Sequence, residues 1–140
     1  MNIFKLKDDL MRDEANIRHA YQDSLGYWTI GVGHLIDRRR GGELSDAVIG
    51  MILHEDINSK IEELNEKLPW WVLLGEDCQR AIVNMAFNLG VKGLLGFTKF
   101  LGALQEGDNE LAAKEMLDST WAKQVGARAD RLAALVRSGT

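Results

Sequence analysis

The sequence predicts an α+β fold that is predominantly α, with a small β insert between a first helix and a long second one. Three observations predict it. Apolar residues recur at three- and four-residue intervals over most of the chain. One tract departs from that rhythm: Tyr27, Trp28, Thr29, Ile30 and Val32 are strand formers set among Gly26, Gly31 and Gly33. Each of those glycines would cost a helix up to about 1 kcal/mol relative to alanine. Finally, 140 residues with 46% hydrophobic content suit one domain, or two lobes sharing a long element, with a core that needs no disulfide or metal.

Taken in order, residues 3–14 form an amphipathic helix, with Ile3, Phe4, Leu6, Leu10 and Met11 near helical spacing and charges between them. From Ile17 to Leu35 a hairpin or meander is expected, turning at Asp23-Ser24-Leu25-Gly26, and residues 38–42 form a loop. Ser45 caps a long helix running to about Lys67, whose apolar positions are Val48, Ile49, Ile52, Ile57, Ile61, Leu64 and Leu68. Such a helix is roughly 33 Å long, enough to join two lobes. Pro69 ends it, and Trp70-Trp71-Val72-Leu73-Leu74 make a short apolar turn or helix. The next helix, 77–89, is apolar on most faces, so it belongs at the centre of a bundle, with Gly90 closing it. Shorter helices are expected near 92–95, 98–106, 109–118 and 128–137, with Asp108 capping the one that starts at 109.

The composition also excludes several roles. A formal charge of −4 argues against nucleic acid as a partner, because phosphate binding needs a concentrated positive surface. Arg38, Arg39 and Arg40, with Lys123, Arg128, Arg131 and Arg137 near the C-terminus, are local exceptions. The triple arginine is a solvated loop or a patch attracted to an anionic polymer. Cys78 has no second cysteine to pair with and is expected to pack as a small hydrophobe. His19, His34 and His54 show no ligand spacing, so no metal site and no cofactor are expected. Charges at Lys5, Lys7, Asp8 and Asp9 occupy the place of a signal peptide's apolar stretch, and no segment approaches the ~20 apolar residues of a membrane span. Synthesis and folding in a cytosol are therefore expected, with a separate agent releasing the protein if its substrate lies outside.

Chemistry concentrates around Glu14 and Asp23. Glu14 falls at the C-terminal end of the first helix, where the helix dipole disfavours a carboxylate and, with burial, favours a proton held for donation. Asp23, in a turn with Ser24 and backbone N–H groups nearby, is better placed to stay ionised. Two carboxyls pulled in opposite directions suit acid and base work at one bond, and a pair across a cleft is the equipment of a glycosidase.

The runs Asp13-Glu14, Tyr21-Gln22-Asp23 and Gly26-Tyr27-Trp28-Thr29-Ile30-Gly31-Val32-Gly33-His34 resemble the signature of the phage-type lysozymes, the glycoside hydrolase family 24 endolysins. Three later blocks continue the resemblance: residues 81–90, Gly96-Phe97-Thr98 with Ser119-Thr120-Trp121, and Arg128-Ala129-Asp130-Arg131. The resemblance implies the two-lobed lysozyme fold. The N-terminal helix (1–14) would pack on the C-terminal lobe, residues 15–44 would form a small β lobe, 45–67 a connecting helix, and 68–140 a helical lobe. It implies hydrolysis of the β-1,4 bond between N-acetylmuramic acid and N-acetylglucosamine in peptidoglycan, with inversion. Glu14 becomes the general acid, and Asp23 with Thr29 activates the attacking water. Arg128 becomes the ion-pair partner of Glu14, opposing the dipole's effect on that carboxyl. His34 and Asp56 tie the insert to the long helix. Leu35, Phe87, Asn88 and Trp121 are candidate substrate contacts, and Asn84 is a further polar candidate. A monomer without membrane insertion is implied, acting on the wall after a separate membrane-permeabilising factor releases it.

The chain departs from that pattern in several places. Ala15 follows the acid where glycine is usual, three extra residues precede Glu14, and the stretch from His34 to Ser45 is short. Phe100 and Glu115 stand where relatives carry small or neutral sugar-contacting groups, so those contacts are not carried over. Two other classes remain: a wall-binding module without turnover, and a helical scaffold. A related glycosidase acting on chitin-like polymers is the alternative on substrate.

Overall fold

In the computed structural model, residues 2–14, 17–22, 25, 28–31, 34–35 and 43–139 are described; for 7, 11, 13, 14, 17–21, 28, 31, 34 and 35 this covers the backbone alone. The protein is predominantly helical, as expected, and divides into two compact units, Met1–Ile52 and Leu53–Thr140.

The first unit opens with α1, Ile3–Glu14, entered through Asn2, whose Oδ1 accepts from the Lys5 amide at 3.1 Å. The tract of strand formers makes a three-stranded antiparallel meander of β1 (Ile17–Gln22), β2 (Trp28–Gly31) and β3 (His34–Leu35). Thr29 lies on the central strand, opposite Tyr21 on one side and Leu35 on the other. Between Ile17 and Tyr21 the register shifts, an irregularity of the kind that re-aims a strand. Beyond the insert, Ser45 caps α2, Asp46–Lys67, by accepting from the Val48 amide at 3.3 Å.

The periodic apolar positions of α2 do not share one environment. Leu64 and Leu68 are buried and Ile57 and Ile61 half-buried, but Ile49 and Ile52 are 49% and 43% exposed. Burial grows toward the C-terminal end, where a 3-10 helix, Pro69–Leu73, folds back so that the Trp71 indole donates to Asn65 Oδ1 at 2.8 Å. Periodicity marks which face is apolar; it does not say how far along the helix a partner reaches.

The second unit is a helical bundle built on α3, Glu76–Leu95, with α4 (Thr98–Gln105), α5 (Asn109–Leu117), α6 (Thr120–Val125) and α7 (Ala127–Ser138). Helix α7 packs on both α3 and α5, and α4 on α5. Ala81, Ala86, Ala112, Ala113, Ala129 and Ala133 are buried, and their small side chains let the backbones approach closely. Ile82, Met85, Phe100, Leu104 and Met116 fill the space between. Phe100 is 1% exposed and belongs to this core. Asp108 caps α5 as expected, accepting from the Leu111 amide at 3.0 Å.

Helix α6 was not among the helices expected from the sequence. It is only six residues long, too short for a periodic signal, and its sign is the cap: Ser119 Oγ accepts from the Ala122 amide at 3.1 Å. Gly126 (φ 61°, ψ −124°) then turns the chain from α6 directly into α7, in a backbone region open to glycine. Within α3, Gly90 (φ 75°, ψ 157°) breaks the helical path where the sequence places a stop, although the chain resumes helix at once. Among the described residues no single helix is long and apolar enough to cross a membrane.

Cys78 is buried, with its thiol directed at the Val136 carbonyl, Sγ to O 3.8 Å. Burial pushes its pKa above the ordinary thiol value, and the neighbouring Asp77 carboxylate adds to the shift. A thiol pKa raised by folding means that the folded state holds the proton more tightly. The associated stability is full below the ordinary thiol range and is lost as pH rises through the folded value. Between about pH 7 and about pH 10 the melting temperature of the wild type is expected to fall more steeply than that of Cys78→Ala. Parallel slopes in thermal unfolding would contradict this.

Two glycine replacements test the backbone reading. A Cβ at Gly90 meets nothing within 4 Å, so Gly90→Ala is penalised by conformation alone, by about 1–3 kcal/mol. Gly102 also has open space but sits inside α4, so Gly102→Ala is expected to stabilise by about 0.5–1 kcal/mol. Urea unfolding of both variants decides whether the signs are opposite.

Candidate functional site

Helix α3 is sunk in the bundle and keeps a narrow exposed strip. Arg80, Asn84, Phe87 and Asn88 are exposed, at positions i, i+4, i+7 and i+8, while Ala81, Ile82, Met85 and Ala86 are buried. Two elements reach this strip. From α6, the Trp121 indole N–H donates to Asn88 Oδ1 at 2.8 Å. From the first turn of α7, Arg128 Nε donates to Asn84 Oδ1 at 2.9 Å and its Nη2 to the Asn84 carbonyl at 3.3 Å. Phe87, 41% exposed, lies between the two asparagines in sequence.

A cleft of about 530 Å³ adjoins the strip, lined by the polar residues Glu76, Gln79, Arg80, Asn84 and Arg128 and by Leu53, Ile57, Ile61, Trp71, Val83, Phe87 and Leu135. The aliphatic part of that lining offers no hydrogen-bond partners to a polar ligand. Hydrogen-bonding groups in the lining come from Glu76, Gln79, Arg80, Asn84 and Arg128.

Arg128 stands where local electrostatics disfavour it. It is the second residue of α7, and a cation there opposes the partial positive charge of the helix N-terminus. Its grip on the side chain and carbonyl of Asn84 compensates part of that cost. Trp121 is buried at 5% exposure, its ring edge-on to Phe97 with centroids 6.1 Å apart. The structure thus places Trp121 behind Asn88 as its support, with little ring surface open to solvent.

For the remaining candidates the positions are these. Glu14 is the last residue of α1, so the helix-end location expected from the sequence is met, while its side chain and the whole of Asp23 lie outside the described residues. Thr29 is 5% exposed on the central strand and is hydrogen-bonded or otherwise engaged. His34 and Leu35 form β3, with side chains outside the described residues, and Asp56 is exposed on α2. The Arg128–Glu14 and His34–Asp56 pairings also fall outside what is described, as do Arg38, Arg39 and Arg40. Among the described residues no group of three or more His, Cys, Asp or Glu side chains is arranged to hold a metal ion.

The sequence profile of the phage lysozyme family matches residues 12–138. This chain belongs to the phage lysozyme family. Its curated relatives include "Probable T4-type lysozyme 1" of Dictyostelium discoideum, 30% identical over 99% of this chain and 96% of that protein. The "Endolysin" of Acyrthosiphon pisum secondary endosymbiont phage 1 is 31% identical over 78% of this chain and 73% of its own length. The "Pre-baseplate central spike protein Gp5" of Enterobacteria phage T4 is 30% identical over 93% of this chain, which spans 27% of that protein. Membership makes the chain a glycosidase of lysozyme type, in a family whose substrate is peptidoglycan.

The Asn84–Arg128 bond was the contact hardest to see beforehand in this phage lysozyme. Its signal was an asparagine inside a run otherwise apolar, Ala81-Ile82-Val83-Asn84-Met85-Ala86, which local propensity does not explain. Because the bond is partly solvated, Arg128→Ala is expected to lower the unfolding free energy by about 1 kcal/mol. Denaturant unfolding with an unchanged m-value checks it, and an unaltered midpoint would show water replacing the guanidinium without loss.

Proposed function

We propose that this phage lysozyme cleaves the β-1,4 bond between N-acetylmuramic acid and N-acetylglucosamine with inversion at the anomeric carbon. What carries the reading is the ordered set Glu14, Asp23 and Thr29 inside the family match of residues 12–138. Glu14 protonates the glycosidic oxygen as the bond to the anomeric carbon breaks. Asp23 accepts a proton from a water that attacks from the opposite face, and the Thr29 hydroxyl positions that water. The products are a new reducing end and a free hydroxyl on the leaving sugar.

An inverting pair needs carboxyls roughly 6.5–9.5 Å apart, leaving room for the water. The β insert and the helical bundle are read as the two lobes flanking that gap, with residues 45–67 connecting them and α1 packed on the C-terminal lobe. His34 with Asp56 would tie insert to connecting helix, and Leu35 with Phe87 would flank the sugar. Arg128 supplies positive charge near the acid. No cofactor enters this chemistry. A monomer, accumulating in the host cytoplasm and reaching the wall after a separate factor permeabilises the membrane, completes the reading as a lytic enzyme.

Glu14→Gln and Asp23→Asn are each expected to lower reducing-end release from purified peptidoglycan by at least about a thousandfold, with circular dichroism and melting temperature close to wild type. Near-full release by a folded Glu14→Gln protein would remove the assignment. The configuration of the first product, followed by proton NMR before mutarotation, is expected to be α; a β product would point to retention instead.

A further inference from the structure

We draw no further inference here: the strongest candidate, the apolar cleft of the second unit walled by Leu53, Ile57, Ile61, Trp71, Val83 and Leu135, adjoins the site already described on its polar side, and nothing among the described residues shows what covers its apolar wall.

Discussion

Nearly every feature of the candidate site follows from one packing constraint: α3 is enclosed by its own bundle and has a single strip left for solvent. Ala81, Ile82, Met85 and Ala86 are claimed by the core. In the middle of the helix what remains exposed is Arg80, Asn84, Phe87 and Asn88, and the helical repeat sets those on one line. A helix anchored on its other faces holds its exposed side chains to the precision of the core, which suits residues that must meet a ligand with little reorganisation.

The second layer of the site comes from the tight succession of α6 and α7. Ser119 starts α6 and Gly126 ends it within a few residues, so Trp121 and Arg128 are carried to the same strip by consecutive short elements. Two choices here run against local preference. An asparagine interrupts an apolar helix, and an arginine sits at a helix N-terminus that repels it. Each offsets part of the other's cost through the 2.9 Å bond between them. Conflict between local preference and observed placement is where function is expected to reside, because nothing in folding alone requires it.

The two units contrast in how their elements are held. In the second, a continuous set of buried residues from Leu64 to Val136 ties every helix to the core. In the first, the meander is short, with Thr29 buried on its central strand.

Much of this was legible in the chain itself. The strand tract, the start of α2 at Ser45, the cap at Asp108, the break at Gly90 and the end of α1 at Glu14 are all local events, governed by capping, backbone freedom and side-chain propensity, which neighbouring residues determine. The register of Glu14, Asp23 and Thr29, and with it the family, is likewise a property of order along the chain. Tertiary structure alone decided which apolar residues of α2 are covered, that Phe100 and Trp121 are core, and that Asn84 meets Arg128 across 44 positions. Those outcomes depend on which surfaces remain after the helices have packed, and no local rule contains that information.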